Sequence, residues 1–528
     1  MGKKKKKKKS IFDDIGKTIK KEVVDPVKNE VVDPIVDVVV EVNPFYKVGD
    51  GGRDNFSIYG AGEAYGKGGD DTLKAYALYV KLDGGSGNDT LEAHSARADL
   101  YGGSGNDYIE AWGVSNKIRG DEGNDTIRAH AAHNDIKGGS GNDSISAWGG
   151  YNDIEGGSGN DTIRGYGGYN DVEGGDGNDN IKVWGGANTV RAGNGTNYIE
   201  AAAAGNWLYG GNNNDTVRAS GGYNEVHTYA GNDNIKAWGG ANIIDAGSGN
   251  DTIEAWGGAN FIAAGSGNDN IKAWGGANIV MSGSGNDTIT GGGLANIFVD
   301  TSGHDKMYGI AGGNIFVDAG NGNDEMYAVG GLNILTKVGN GNTRMVAGGM
   351  YNVLTKVGNG NDLMIALAKG NAITKVGDGS STMISAAMYN IMTSWGESKD
   401  TMVAMGNINA LIGGGDDDVM IAAGMGNVAF GDSLGINVNI NRFKDSDSQE
   451  AGKDADTEGV DFGGVDYKNA GNVNSKLNSE GNDIMVGLGK FNLLAGGAGE
   501  DVVVAGGMYN IVFGDDLWDA IDVDIQLP

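Results

Sequence analysis

The chain has 528 residues, of which 98 are glycine, four are proline and none is cysteine, and its formal charge at pH 7 is −30. Glycine is far above the roughly 7% of ordinary proteins, but the scarcity of proline excludes collagen, and the lack of cysteine excludes disulfides and thiolate zinc sites. The strong negative charge argues against nucleic acid as a partner of the body of the protein and favours cations.

Residues 1–50 differ in composition from the rest of the chain. They contain three of the four prolines, and their twelve lysines outnumber nine acidic residues. The run Lys3–Lys9 is interpreted as a solvated tail, with binding to an anionic membrane or to nucleic acid as the alternatives. We predict short helices within residues 10–43, broken at Pro26 and Pro34, and expect this segment to cap the first coil of the repeat region.

An 18-residue repeat governs the region from residue 51 onward. Each unit has two nine-residue halves: one carries an aspartate and the other an asparagine, and a large apolar residue such as Ile109 or Ile118 follows two positions later. No proline interrupts residues 45–527, so every peptide N–H can join a backbone ladder. We predict stacked coils ~4.8 Å apart, in which each half supplies about six turn residues and a strand of about three residues.

The aspartates form a column that predicts a calcium site. Neighbouring carboxylates ~5 Å apart repel by about 1 kcal/mol or more near a surface, and a hard cation with oxygen ligands such as calcium removes this cost. A solvated acidic edge is the alternative interpretation. Asn197 interrupts the column with an uncharged side chain. The predicted calcium ligands are Asp71, Asp89, Asp107, Asp125, Asp143, Asp161, Asp179, Asp215, Asp233, Asp251, Asp269, Asp287 and Asp305.

Two further columns follow the same period. The asparagines of the other half, among them Asn134 and Asn152, are interpreted as an amide hydrogen-bond ladder rather than a second metal row. The other column is aromatic, and we interpret it as a stacked ladder that covers the glycine backbone, with a glycan or partner surface as the alternative. Its members are Tyr76, His94, Trp112, His130, Trp148, Tyr166, Trp184, Trp238, Trp256 and Trp274.

The half Gly-Gly-x-Gly-Asn-Asp-x-Ile-x, most complete at 84–92, 102–110 and 138–146, resembles the calcium-binding nonapeptide of RTX (repeats-in-toxin) proteins. The resemblance implies an all-β, right-handed parallel β-roll, in which turn glycines and aspartates bind calcium between successive coils. It also implies type I secretion of an unfolded chain that folds outside the cell. Usual family members carry the motif in both halves, whereas this chain carries it in one, so we predict calcium along a single edge of the region 51–310.

The period becomes 19 residues beyond Asp305, and methionines such as Met326 and Met345 take the inward positions. The stretches at 331–341 and 370–379 resemble the glycine-rich repeats of MARTX (multifunctional autoprocessing RTX) toxins, which implies a solenoid over 311–431 and a toxin component that engages a host membrane. Metal binding is expected to fade there, because Thr343 and Ser381 stand at aspartate positions.

The end of the chain leaves the repeat and returns to it. Residues 432–480 are polar and are interpreted as an excursion from the solenoid. The repeat resumes within 481–528, whose last residues, 515–528, are a candidate uncleaved C-terminal secretion signal.

No nucleophile elbow, phosphate-binding loop or HExxH motif interrupts the repeat, which favours a protein that is not an enzyme. The sequence therefore predicts a calcium-binding structural or adhesion protein that is secreted or held at the cell surface. A MARTX-like toxin component that engages membrane and a glycan-binding module are the alternatives.

Overall fold

The computed structural model describes residues 45–431, 482–496 and 501–513. The chain divides into two compact units between Val299 and Asp300, and each is a stack of parallel strands. Among the described residues, no helix has the length and apolarity needed to cross a membrane. The helical cap predicted within 10–43, the excursion at 432–480 and the candidate signal at 515–528 lie outside the described residues.

The first unit is built mainly from long strands, one for each coil. They are β1 (Phe45–Val48), β2 (Asn55–Ile58), β3 (Gly62–Gly68), β4 (Thr72–Ser86), β5 (Thr90–Ser104), β6 (Tyr108–Glu122), β7 (Thr126–Ser140), β8 (Ser144–Ser158), β9 (Thr162–Asp176), β10 (Asn180–Asn194), β11 (Tyr198–Gly211), β12 (Thr216–Tyr229), β13 (Asn234–Ser248), β14 (Thr252–Ser266), β15 (Asn270–Ser284) and β16 (Thr288–Asp300), whose last residue belongs to the second unit.

The second unit begins with equally long strands and continues with shorter ones. They are β17 (Lys306–Asp318), β18 (Asp324–Val338), β19 (Thr343–Val357), β20 (Leu363–Leu367), β21 (Gly370–Val376), β22 (Thr382–Ala386), β23 (Tyr389–Trp395), β24 (Thr401–Met405), β25 (Ile408–Ile412), β26 (Val419–Phe430), β27 (Ile484–Ala495), β28 (Val502–Gly506) and β29 (Tyr509–Phe513).

The strands pair in parallel and in register, as the repeat predicts. Ile109 pairs with Ile127, 18 residues later, in the first unit, and Met326 pairs with Met345, 19 residues later, in the second. Identical positions of successive coils therefore form ladders, which is the arrangement of a β-solenoid. The predicted parallel β-solenoid is confirmed.

The predicted length of the strands is wrong for the first unit. Strand β6, for example, runs without a break from Tyr108 to Glu122 through the asparagine half, where the sequence predicts a turn. The Gly-Val-Ser-Asn stretch bends, but its backbone stays paired with the next coil, since Ser115 pairs with His133 and Asn116 with Asn134. The expected pair of short strands per coil occurs in the second unit, as in β20 and β21.

The core is a narrow ladder of alternating side chains. Ile109, Ala111 and Ile118 are fully buried in one coil of the first unit, and Met326 and Met345 are buried in the second unit. Because successive side chains of a strand point to opposite faces, each coil offers only a few inward residues. Stacking against neighbouring coils therefore provides the burial that a single coil lacks.

Candidate functional site: a ladder of buried carboxylates

The turn between β4 and β5 shows how the repeat places an aspartate. Gly87 has a φ of +125°, a conformation that glycine adopts without the steric penalty of a Cβ atom. A Cβ added to Gly84 would lie 2.4 Å from Asp89 Oδ2 and 2.6 Å from the carbonyl oxygen of Gly102 in the next coil. The glycines of the motif thus let the turn close around the Asp89 carboxylate.

One oxygen of each carboxylate is fixed by the backbone of the preceding coil. The N–H of Asp71 donates to Oδ1 of Asp89 over 2.7 Å, and the N–H of Asp89 donates to Oδ1 of Asp107 over 2.7 Å. The amide oxygen of Asn197 substitutes in this role, because it accepts the N–H of Asp179 over 2.9 Å. The ladder therefore orients every aspartate in the same way.

The other oxygen, Oδ2, is buried and, within the described residues, has no hydrogen-bond partner. This state recurs at Asp71, Asp89, Asp107, Asp125, Asp143, Asp161, Asp179, Asp215, Asp233, Asp251 and Asp269. A buried charge without a partner is costly. A hard cation that also accepts carbonyl oxygens as ligands would remove this cost, and the first-glycine carbonyl of the next coil lies on the same side of the turn. The donor set therefore fits calcium.

Burial changes the acidity of these groups. Loss of hydration raises the pKa of Asp107 and Asp161 to about 7, although hydrogen bonds from the backbone oppose the shift and neighbouring aspartates add to it. Burial likewise raises the pKa of Asp89 and Asp179 to about 6. Without a cation, the ladder therefore favours protons near neutral pH, since the carboxylates repel one another in a poorly hydrated site.

All the predicted calcium ligands are buried, with 1–2% of their surface exposed. Those from Asp71 to Asp287 lie in the first unit, and Asp305 lies in the second. In the second unit, oxygens of Asp305, Asp318 and Asp324 lie within 4.8 Å of one another, close enough to hold a metal ion. Sequence analysis missed Asp318, which is four residues after an asparagine of the other column, at the position that holds the first glycine of the motif in the first unit.

The asparagine column is an amide ladder, as predicted. Nδ2 of Asn134 donates to Oδ1 of Asn152 over 2.8 Å, and Nδ2 of Asn152 donates to Oδ1 of Asn170 over 2.7 Å. Nδ2 of Asn152 also donates to the carbonyl of Tyr166 over 3.2 Å. These amide oxygens are thus engaged by amide donors of the neighbouring coils.

The aromatic column stacks ring on ring, as predicted. From Tyr76 to Trp148, successive ring centroids are 3.8–6.1 Å apart and the ring planes differ by 2–6°. The stack continues through Tyr166 to Trp184. Because neighbouring rings cover one another's faces, the ladder presents mainly ring edges to the solvent, whereas stacking against a sugar requires open faces.

A parallel solenoid in which acidic turns stack in register around buried carboxylates is a cation-binding β-roll. The family described as RTX calcium-binding nonapeptide repeat matches nine stretches between residues 65 and 289 and one at 478–507. The region 65–289 is therefore an RTX calcium-binding β-roll. No curated protein matches the chain. The family matches leave out residues 290–477, so the MARTX resemblance of that part stays a prediction.

Proposed function

We propose that this chain is a non-enzymatic RTX protein that folds on binding calcium after type I secretion and acts outside the cell as a structural or adhesive element. The supporting observation is the row of buried Oδ2 atoms, from Asp71 to Asp269, that have no hydrogen-bond partner in the described part of the chain. Calcium ions bound by the aspartates and the turn carbonyls would supply positive charge to this row.

The energetics connect metal binding to folding. Folding without a cation requires these carboxylates either to stay ionised in a poorly hydrated ladder or to take up protons, whereas the unfolded chain hydrates them as ions. A ligand that binds only the folded state contributes its binding free energy to folding. At low calcium the region 65–289 therefore stays unfolded, which suits export, and at extracellular calcium it folds.

The test uses the full chain in chelator, in calcium and in magnesium. Hydrogen exchange followed by mass spectrometry is expected to show protection of residues 65–289 in calcium and its loss in chelator, with magnesium as the control for general ionic effects. Fractionation of producing cells then compares the medium with the cell extract. Protection of 65–289 that is the same in chelator would overturn the proposal.

A second candidate function is contact with a host membrane. In the second unit, Ile310 pairs with Val329, and Leu367 lies two coils beyond Val329 in the same column, with a glycine between them. The side chains of Ile310, Val329 and Leu367 are 65%, 57% and 50% exposed. A neighbouring column exposes Leu332 and Tyr351. Contiguous exposed apolar surface marks an interaction site. This supports the MARTX-like alternative.

Flotation with phosphatidylcholine vesicles tests this second candidate. The full chain in calcium is expected to float with the vesicles, and a variant with Val329→Ser and Leu367→Ser is expected to float several-fold less. The matched control is Ile279→Ser, an exposed apolar residue of the first unit. Equal flotation of all three proteins, or none by the unchanged chain, would contradict membrane contact through this surface.

A further inference from the structure

Three lysines of the second unit are completely buried. Lys337 pairs with Lys356, and Lys356 pairs with Lys375, so the three form one ladder along successive coils. Each has 0% of its surface exposed. Lysine is almost never fully buried unless it is paired, so the groups around the three ammonium ions decide what these residues do.

The ladder occupies the place of a motif glycine. Lys356 is four residues after Asn352, just as Gly138 is four residues after Asn134. In the first unit a Cβ atom at Gly138 would lie 2.3 Å from Asp143 Oδ2. A side chain at this position is thus directed towards the carboxylate ladder.

The ammonium groups contact carboxylates and turn carbonyls. Lys337 Nζ donates to Asp318 Oδ1 over 2.9 Å and also pairs with Asp324. Lys375 Nζ lies 3.4 Å from Asp400 Oδ1 and donates to the carbonyl of Gly379. These are oxygen ligands of the kind that calcium takes in turns rich in glycine.

Lys356, the middle lysine of the three, contacts a turn carbonyl. Its Nζ donates to the carbonyl of Gly339. Burial lowers its pKa, and the charge of Asp362 opposes that shift. For Lys337, burial also lowers the pKa, but the bonds to Asp324 and Asp318 outweigh it, so the net pKa is raised.

The longer period makes room for the lysines. Five positions separate Gly138 from Asp143 in an 18-residue coil, whereas six separate Lys356 from Asp362 in a 19-residue coil. The extra residue therefore lengthens the segment between the lysine and the aspartate position that follows it in the same coil.

The charges along this part of the ladder nearly balance. Between residues 318 and 400 the three buried lysines face four buried aspartates. At two further positions the column has the neutral residues Thr343 and Ser381. The aspartates are Asp318, Asp324, Asp362 and Asp400.

We propose that Lys337, Lys356 and Lys375 act as built-in counter-ions in place of calcium, so that the coils of residues 318–400 fold in calcium-free conditions. The contrast with residues 65–289, which would need calcium to fold, rests on the proposed function. The family matches cover most of 65–289 and none of 318–400. The lysine coils would then be structured at calcium concentrations at which the first unit is not.

Hydrogen exchange of the full chain in chelator tests the inference. Peptides from 318–400 are expected to stay protected, while those from 65–289 exchange freely. Lys375→Met, which keeps length but removes charge, is expected to speed exchange in the coils around Asp400 by about tenfold or more in chelator. Lys369→Met is the matched control, because Lys369 is an exposed lysine of the same unit.

A double variant separates charge from packing. Lys375→Met combined with Asp400→Asn removes both charges of the pair, and Asn can keep the Oδ1 that accepts the N–H of Ser381. Exchange is expected to return most of the way to that of the unchanged chain. A double variant that exchanges as fast as Lys375→Met would overturn the inference.

Hydrogen exchange in different peptides tests the lysine inference and the calcium proposal separately. Rapid exchange of 318–400 in chelator, reversed by calcium, would overturn the lysine inference and leave the calcium proposal intact. Protection of 65–289 in chelator would instead overturn the calcium proposal.

Discussion

Asp143 shows what a single residue of the ladder contributes. Its Oδ1 accepts the N–H of Asp125 over 2.8 Å, its Oδ2 is buried without a partner among the described residues, and burial raises its pKa. The first oxygen fixes the turn and the second is available to a cation. Substitution by asparagine separates the two roles, since Asn197 already holds the Oδ1 position elsewhere in the ladder.

Asp143→Asn is therefore expected to cost calcium rather than the fold. Sites form between coils, so about two ions, one on each side of the coil, should be lost in native mass spectrometry of the full chain. Asn152→Ser on the opposite edge is the control. It leaves amide partners unpaired at a cost of about 1–3 kcal/mol, but the ion count should not change. Loss of calcium in the control would mean that the asparagine edge also binds metal.

His227 gives a residue-scale prediction for pH. Its Nε2 lies 3.1 Å from Glu225 Oε1 and its Nδ1 lies 3.6 Å from Asp245 Oδ2. Burial lowers the pKa of His227, but the interactions with the Asp245 and Glu225 carboxylates outweigh it and raise the pKa to about 9. Because the folded pKa lies above the unfolded value of about 6.5, the charged histidine stabilises the fold fully below pH 6.5, and this stabilisation is lost as the pH rises through 9.

The effect is measured as the difference in unfolding free energy between the unchanged chain and His227→Gln, both in calcium. The difference is expected to be on the order of 1–3 kcal/mol at pH 6 and to shrink towards zero at pH 10. A difference that does not vary with pH would show that His227 acts by packing alone.

At the scale of the element, one coil consists of a strand, a bend and an acidic turn. Its burial and its hydrogen bonds depend on the neighbouring coils. The sequence predicted the 18-residue register, the inward Ile109 and Ile118, the column of aspartates and the amide ladder, because each depends on a side chain that recurs at a fixed position. It did not predict that the aspartates are buried. The sequence did not predict the length of the strands, because that length depends on backbone pairing between coils. Glycine and asparagine favour turns, yet parallel pairing of Asn116 with Asn134 continues the strand through the bend.

The buried lysines were missed for a related reason. A charged residue in a strand is ordinarily assigned to the solvent face. The inward position of Lys337 and Lys356 follows only from their register with the motif glycines and from their carboxylate and carbonyl partners. The informative signal was the replacement of glycine by lysine together with the one-residue increase of the period.

The acidic turn also predicts how the metal-free first unit responds to pH. The folded pKa values of about 6 at Asp89 and about 7 at Asp107 lie above the reference value of 3.8. Since these groups bind more protons in the folded state than in the unfolded state, their contribution to stability in chelator is greatest below pH 4 and falls as the pH rises through 7. With calcium the direction reverses, because protons compete with the metal for the carboxylates.

Circular dichroism of the full chain in chelator, recorded from pH 8 down to pH 5, checks this expectation. The β-sheet signal should grow as the pH falls. In calcium the same acidification should weaken the signal or leave it unchanged. A chelated chain that loses structure on acidification would show that the aspartates are not the groups that hold the apo coils unfolded.

At the scale of the whole molecule, the residue at the position of the first motif glycine is small in the proposed calcium coils and is lysine in the coils proposed to fold without calcium. Glycine occupies it beside all seven aspartates from Asp71 to Asp179, and lysine occupies it in three coils of the second unit. Glycine then returns at Gly413 and Gly496, where an added Cβ would lie 2.3 Å from Asp418 Oδ2 and 1.9 Å from Asp501 Oδ2. The RTX family matches resume at 478–507, which agrees with a return of calcium turns.

This order predicts how many calcium ions the full chain binds. The seven consecutive aspartates from Asp71 to Asp179 leave six intervals between coils, the five from Asp215 to Asp287 leave four, and the three from Asp418 to Asp501 leave two. Asp305 is left out of this count, because Lys337 pairs with Asp318 and Asp324, the two aspartates that lie beside it. Native mass spectrometry is expected to find about one ion per interval, about twelve in all, with none assigned to the lysine coils. Calorimetric titration gives an independent count. About twice that number would require calcium on the asparagine edge, and ions that survive in the Asp143→Asn variant at full stoichiometry would place the metal outside the aspartate ladder.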